Sequence, residues 1–311
     1  MTGMKLAEQY YREYGREIFS REFPESFDRM AFGLVGEGSE CFGFDDDISK
    51  DHDYGTDFCV FVPEEIFKSH GSRMQQVYDE MPDYPGGDGK CESARAFNRR
   101  GVISTERFYS RFIGSAGVPS DNLQWLKIPQ AYLATAVNGK VFEDRYGEFS
   151  DIRQRLKSYY PEDVKKKKLA AQTFFMAQAG QYNCIRLMKR GDFCGAFLAK
   201  SEFIKAALST VFLLNDEYMP FYKWSFRKAD SLEKMKDTVG LIREFAQLEL
   251  CPQNENKAYS LVETICEQTG HELNLRGYSL TGNSFLTAHS EEIMRTIRDS
   301  RIRNLDVTLD F

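Results

Sequence analysis

The sequence predicts an α+β protein in which a small mixed-sheet domain is followed by an α-helical bundle domain. In the first half, short apolar runs are separated by Gly, Pro and Asp clusters, a pattern typical of strands and turns. In the second half, apolar residues recur at three- and four-residue spacing, as in helices that bury one face. The change of pattern predicts domains at residues 1–150 and 151–311.

The first domain is predicted to open with a helix and to contain four strands. Residues 4–21 are rich in helix formers and end before Pro24. The predicted strands are Ala31–Val35, Phe58–Val62, Gly101–Thr105 and Lys140–Asp144. The polar, glycine-rich stretch Met81–Arg100 has no periodicity and is predicted to be a long loop.

The second domain reads as helical almost without interruption. The predicted helices are Ile152–Ser158, Pro161–Ala179, Tyr182–Lys189, Cys194–Leu214, Ser231–Glu249, Lys257–Thr269 and Ser290–Arg298. Four consecutive lysines, residues 165–168, are interpreted as a solvated helix face rather than a phosphate-binding patch. The final stretch "RIRNLDVTLDF" is compatible with a closing strand, and Trp125 is predicted to lie in the core.

Composition and charge exclude several classes of protein. The 311 residues are 42% hydrophobic and 28% charged, and no apolar run approaches the roughly 18 residues of a membrane span. The charged N-terminus has no signal-peptide core, so we expect a cytoplasmic protein. Seven cysteines without a close pair and four scattered histidines argue against a disulfide framework and against zinc. A net charge of -6 argues against a nucleic-acid acceptor.

Two short motifs in "GLVGEGSECFGFDDDISKDHDYGTDF" carry the predicted chemistry. On a strand, Asp51 and Asp53 point to one face, and two such carboxylates repel each other unless a cation lies between them. Mg²⁺ is commonly held by one or two carboxylates together with substrate phosphates. Upstream, Gly38 and Ser39 allow close backbone approach to a phosphate. A bulge at residues 54–56 would change which way the two carboxylates point.

Gly38-Ser39 followed by Asp51-His52-Asp53 resembles the signature of the polymerase β-like nucleotidyltransferase superfamily. The blocks "GLVGEGSE", "FGFDDDISKDHDYG", "WLKIP", "GKVFED", "YYPEDVKKKKLAAQ" and "FLLNDEYMPFYKW" resemble, in order, one bacterial family within it, filed as domain of unknown function 4037. The resemblance runs from about Leu34 to Trp224 and beyond. It implies transfer of an NMP group from an NTP to a hydroxyl, with two Mg²⁺ ions held by the aspartates.

The resemblance also implies a third carboxylate from a neighbouring strand. Asp144 is the favoured residue, and Glu143 is the alternative, because adjacent strand residues point to opposite faces. Asp51, Asp53 and Asp144 are thus the expected catalytic metal ligands. Gly38 and Ser39 are the expected phosphate cradle. Lys223, between two aromatic residues, is expected to be either a phosphate ligand or a cation–π contact.

The resemblance brings no known acceptor, but the acidic net charge favours a small molecule or a protein over a long nucleic acid. The preferred NTP and the oligomeric state are not predicted. A second hypothesis keeps the fold without the chemistry, as a catalytically inactive nucleotide-binding regulator. The complete set of acids, Asp51, Asp53 and a third carboxylate, argues against that hypothesis, since an inactive protein has no need of all three.

Overall fold

The chain forms two compact units. The computed structural model describes residues 2–47, 55–85 and 99–310. The first unit comprises Met1–Pro119 and Tyr132–Ser158, and the second comprises Ser120–Ala131 and Tyr159–Phe311. The boundary predicted near residue 150 therefore falls inside a helix of the first unit.

A four-stranded mixed sheet organises the first unit. Its strands are β1 (Ala31–Leu34), β2 (Cys59–Val62), β3 (Gly101–Ser104) and β4 (Lys140–Asp144). They lie in the order β3-β2-β1-β4, with β1 antiparallel to β2 and β4, and with β2 parallel to β3. The α+β class and the mixed sheet predicted from the sequence are confirmed, and the strand limits agree to within one residue.

Helices account for most of the remaining described residues. Up to residue 157 they are α1 (Gly3–Tyr10), α2 (Arg16–Glu22), α3 (Ser39–Phe42), α4 (Glu64–Glu80), α5 (Thr105–Ile113), α6 (Asn122–Leu126), α7 (Gln130–Val137) and α8 (Glu148–Lys157). The later ones are α9 (Glu162–Met176), α10 (Ile185–Lys189), α11 (Phe193–Leu214), α12 (Tyr222–Ala229), α13 (Lys236–Gln247), α14 (Glu255–Leu275), α15 (Leu286–Thr296) and α16 (Ser300–Arg303). Two π-helical segments, Tyr11–Gly15 and Ala177–Cys184, join α1 to α2 and α9 to α10, and short 3-10 turns occupy Phe27–Arg29 and Pro252–Asn254.

Aromatic side chains fill both faces of the sheet. On one face, Tyr11 stacks on Phe32 with ring centroids 4.6 Å apart, and Phe58 lies beside both. On the other face, Phe61 stacks on Phe149 of α8 at 4.0 Å. The alternation of faces along β2 follows from the two-residue period of a strand. Burial on both sides explains why β1 and β2 read as continuous apolar runs, whereas β4 has no fully buried residue.

The second unit is a helical bundle with its own apolar core. Residues of α9, α11, α13 and α14 contribute to one buried cluster, in which Phe203 meets Phe245 edge-on at 5.6 Å. Trp125 of α6 is 5% exposed and lies 5.9 Å from the ring of Tyr160, which confirms its predicted core position. This contact helps to explain why residues 120–131 belong to the second unit.

Two predictions for the second unit are wrong. Lys165, Lys167 and Lys168 are buried in α9 instead of forming a solvated face. Their charges are matched by residues far away in sequence, as in the 2.5 Å pair between Lys165 and Asp216, so composition alone does not reveal them. The C-terminal stretch forms α16 and then continues without a strand to residue 310.

The sequence pattern did not predict two helices of the first unit, α4 and α5.

Among the residues that the structure describes, no helix has the length and apolar character that crossing a membrane requires.

Candidate functional site

A tight turn after β1 holds the predicted phosphate cradle. Gly38 has φ +121° and ψ 145°, a backbone region that residues with a Cβ avoid, and α3 begins at the next residue, Ser39. A Cβ at Gly38 would lie 2.7 Å from a carboxylate oxygen of Glu40 and 2.8 Å from Nη2 of Arg100. Glycine is therefore required here both by conformation and by space.

A buried ion pair supports this turn from behind. The side chains of Arg100 and Glu40 are 3% and 7% exposed and are in direct contact. Arg100 also donates to the backbone carbonyls of Glu37, at 3.1 Å, and of Arg99, at 2.7 Å. One guanidinium thus fixes both sides of Gly38, which gives the turn a defined shape before any ligand binds.

Two further arginines lie beside the turn on the partly exposed side. Arg111 of α5 donates to Oε2 of Glu37 at 2.6 Å, and Nε of Arg99 lies 3.1 Å from the same oxygen. The side chains of Arg99 and Arg111 are 29% and 42% exposed, so solvent reaches both. A carboxylate already bound by two guanidiniums marks a position that suits an anion.

Asn138 joins the turn to the start of β4. Its Oδ1 accepts from the backbone N–H of Gly36 at 2.8 Å, and its Nδ2 donates to the carbonyl of the same residue at 2.7 Å. Arg153 of α8 in turn donates to the carbonyls of Asn138 and Gly139, each at 2.9 Å. The side-chain amide of Asn138 thus extends the hydrogen-bonded pairing of the two strands past the end of β1 and the beginning of β4.

The structure does not bring Asp144 to the turn. The register pairs Leu34 with Lys140 and Ala31 with Asp144, so Asp144 lies beside the start of β1, whereas the turn follows its end. Three residues of strand span about 10 Å. Both carboxylate oxygens of Asp144 accept backbone N–H groups at 2.8 Å, from Gly147 and Ser150, as in a helix cap on α8. The structure thus gives Asp144 a capping role at α8, and its expected role as third metal ligand stays a prediction.

Glu143, the alternative third carboxylate, is also committed elsewhere. Its carboxylate accepts from Tyr11 at 2.7 Å, from Arg16 at 2.9 Å and from Arg145 at 2.8 Å. These donors keep the pKa of Glu143 below its usual range, although burial acts in the opposite direction. Like Asp144, it lies at the end of β4 remote from Gly38.

The predicted acid pair, Asp51 and Asp53, lies outside the described residues, as do His52 and the first residue of the considered bulge. Within the described part of the chain, no three His, Cys, Asp or Glu side chains converge as a metal site. Glu37 and Glu40 at the turn are engaged by arginines. The expected role of Asp51 and Asp53 as Mg²⁺ ligands stays a prediction.

Lys223 belongs to the second unit. It is exposed at the beginning of α12, with its Nζ 5.0 Å from the ring centroid of Trp224. The geometry fits the expected cation–π contact. Its expected role as a phosphate ligand stays a prediction.

Sequence reasoning missed the arginines and Asn138. Arg99 and Arg100 stand next to each other just before β3, and β3 begins beside Cys59, at the same end of the sheet as the turn. The adjacent pair "RR" before an apolar run was the available signal. That these arginines lie beside the turn follows from the order of the strands, which the sequence pattern did not predict.

The fold and this geometry define the class as an α+β protein with a glycine-serine turn at the end of a mixed sheet. Residues 125–225 match the family model "Domain of unknown function (DUF4037)". The family expected from the sequence blocks is therefore confirmed over this part of the chain.

Comparison with solved structures finds a nucleotidyltransferase-like protein from Exiguobacterium sibiricum 255-15. It shares 14% sequence identity, the match covers 92% of this chain and 88% of that one, and the TM-score is 0.37. No conclusion about activity follows from a likeness at this level. None of the curated proteins matches the chain.

Proposed function

We propose that this protein is a cytoplasmic, Mg²⁺-dependent nucleotidyltransferase that moves an NMP group from an NTP to a hydroxyl of a small molecule or a protein. One observation carries the proposal. Cys59, the first residue of β2, pairs with Gly33, so the chain that bears Asp51 and Asp53 enters the sheet at the end from which β1 leads to Gly38. We therefore propose that the acid pair acts at the same end of the sheet as the phosphate cradle.

In this proposal the turn binds the triphosphate. The open backbone at Gly38 and the Ser39 hydroxyl approach phosphate oxygens, and Arg99 and Arg111 neutralise their charge. Glu37 positions the two arginines before the ligand binds, and the incoming phosphate then replaces its carboxylate as their partner. Because Arg100 and Glu40 fix the turn beforehand, little reorganisation is needed on binding.

Asp51 and Asp53 are proposed to hold Mg²⁺, which when bound polarises the α-phosphate and lowers the pKa of the attacking hydroxyl. The acceptor oxygen forms the new bond to the α-phosphorus, and pyrophosphate leaves beside Gly38 and Ser39. The net charge of -6 supports a small-molecule or protein acceptor over a long nucleic acid, which gains affinity from phosphate neutralisation.

Calorimetry with each of the four NTPs and MgCl₂ tests the first half of the proposal. We expect saturable binding of at least one NTP, weakened in Asp51→Asn and Asp53→Asn. An α-labelled NTP then reports transfer to protein or to a panel of hydroxyl-bearing metabolites. If the wild-type protein binds no NTP under these conditions, the proposal is wrong.

A specific observation supports the alternative of a nucleotide-binding regulator without transfer. The amide of Asn138, two residues before β4, hydrogen-bonds to the turn. The carboxylates of β4, Glu143 and Asp144, lie at the other end of the strand. A regulator of this kind binds the NTP and returns it intact. Recovery of unchanged NTP with no pyrophosphate, after long incubation with every acceptor tried, would favour this alternative.

A further inference from the structure

The C-terminal segment, residues 304–310, lies against the buried lysines of α9. Lys167 donates to the backbone carbonyls of Asp306, at 2.8 Å, and Val307, at 2.9 Å. Lys168 pairs with one carboxylate oxygen of Asp310 at 2.6 Å, and Gln172 donates to the other. Asp310 thus accepts from two side chains spaced four residues apart on one helix face.

Burial is distributed unevenly across this contact. The side chains of Lys168 and Asp310 are 1% and 8% exposed, and Lys167 is fully buried. No residue of the segment as a whole is in the buried class, and Leu309 is 38% exposed. The segment therefore brings little apolar surface to the contact, and its attachment is chiefly electrostatic and hydrogen-bonded.

Such an attachment is reversible for a physical reason. Removing one partner of a buried ion pair is costly when the other charge stays buried. When the segment lifts away, however, water or another anion reaches the lysines and takes over their solvation. The stability of the attachment therefore depends on which anions are present.

We propose that Lys168 and Gln172, with Lys167 beside them, form an anion-binding site whose internal occupant is Asp310. A carboxylate or phosphate group, each offering two oxygens in a suitable arrangement, replaces Asp310 when residues 304–310 detach. The site lies wholly within the second unit, and it does not depend on the nucleotidyltransferase proposal. The ring of Tyr160, with its centroid 5.4 Å from Nζ of Lys168, forms one wall.

Trypsin cleavage after Arg303 in the full-length protein measures detachment. Arg303 is exposed at the end of α16, and its cleavage releases the segment for detection by mass spectrometry. At constant ionic strength, we expect phosphate or acetate in place of chloride to accelerate this cleavage severalfold, relative to cleavage after the exposed Arg190. Acceleration by only one of the two anions identifies the class of ligand. The same rate in all three salts overturns the proposal.

A pair of charge-matched variants provides the second test. Asp310→Asn removes the internal occupant's charge, whereas Glu291→Gln removes an exposed charge on α15 of the same unit. We expect Asp310→Asn to bind phosphate or acetate about tenfold more tightly than wild type by calorimetry, equivalent to ~1.4 kcal/mol. Glu291→Gln should match wild type, and adding Lys168→Met to Asp310→Asn should abolish the gain.

Equal affinities in Asp310→Asn and Glu291→Gln would contradict the proposal. If Asp310→Asn does not fold, the cleavage experiment on the wild-type protein decides the question alone.

Discussion

At the scale of single residues, Gly38 determines the shape of the proposed phosphate turn. Its φ of +121° and the close approach of Glu40 and Arg100 leave no room for a side chain. We expect Gly38→Ala to destabilise the protein by about 1–3 kcal/mol, the range for a strained backbone position, and to abolish NTP binding. Urea unfolding and calorimetry measure the two effects.

Gly43 offers a matched control for this substitution. It also has a positive φ, +70°, but a Cβ there would meet nothing within 4 Å. Gly43→Ala should therefore cost some stability while leaving NTP affinity close to wild type. Unchanged NTP binding by Gly38→Ala would show that the turn is not the phosphate site.

Arg111 is the second residue at which the proposal can be tested. Its guanidinium donates a hydrogen bond to Glu37, and we expect it to donate to a phosphate oxygen instead when an NTP binds. Because hydrogen bonds to charged groups contribute about 1.5–3 kcal/mol, Arg111→Gln should weaken NTP binding by a factor of ten or more. Arg107→Gln is the control, since Arg107 lies on the same helix and pairs with Glu64. Similar losses in both variants would assign the effect to general charge.

At the scale of elements, the strand β4 shows what the sequence could and could not predict. Its limits, 140–144, follow from a short apolar run between turn signals, and they were predicted correctly. The end of the sheet at which its acids lie depends on its antiparallel pairing with β1. Pairing partner and direction are long-range properties, so the local pattern could not predict at which end of the sheet Asp144 lies.

The capping geometry of Asp144 leads to a direct test of its role. Because its carboxylate accepts two backbone N–H groups at the start of α8, Asp144→Ala should cost about 0.5–2 kcal/mol, as for the loss of a helix cap. Any NTP-dependent transfer should persist, whereas Asp51→Asn should abolish it. Thermal unfolding together with the transfer assay separates the two outcomes. Complete loss of transfer in a folded Asp144→Ala protein would show that Asp144 acts in the active site.

The helix α9 also shows that a local sequence pattern does not reveal long-range contacts. The helix itself was predicted correctly. Its four consecutive lysines resemble a solvated face, but three of them, Lys165, Lys167 and Lys168, are buried. Their burial depends on carboxylates and backbone carbonyls supplied by Asp216 and by the C-terminal segment. Those partners are 51 to 142 residues away in sequence, from Lys165 and Asp216 at one extreme to Lys168 and Asp310 at the other.

Burial of Lys167 predicts a pH dependence of stability. Desolvation lowers the pKa of its ammonium group from 10.5 to about 8. Between these values the unfolded chain binds more protons than the folded one, so the free energy of unfolding should gain a contribution that increases as the pH rises from 8 to 10.5. Lys167→Met should lack this contribution, while Lys189→Met, at an exposed position, should retain it. Urea unfolding across this pH range provides the measurement.

At the scale of the whole molecule, the negative net charge contrasts with the arginines around the turn. The protein carries a formal charge of -6, yet three arginines, at positions 99, 100 and 111, surround Gly38. A local concentration of cations on an acidic protein favours a small, highly charged ligand over an extended polyanion. Although Glu37 and Glu40 pair with these arginines, the turn keeps one positive charge in excess, which agrees with the proposed NTP ligand.

The path of the chain between its two units has a consequence for how the protein is made. The chain passes from one unit to the other after residues 119, 131 and 158, so no single cleavage yields two complete pieces. During synthesis, residues 120–131 leave the ribosome well before Tyr160, against which Trp125 packs. The indole cannot reach this packing partner until the later residues have been synthesised, so residues 120–131 take their place in the second unit only after most of the first unit has emerged.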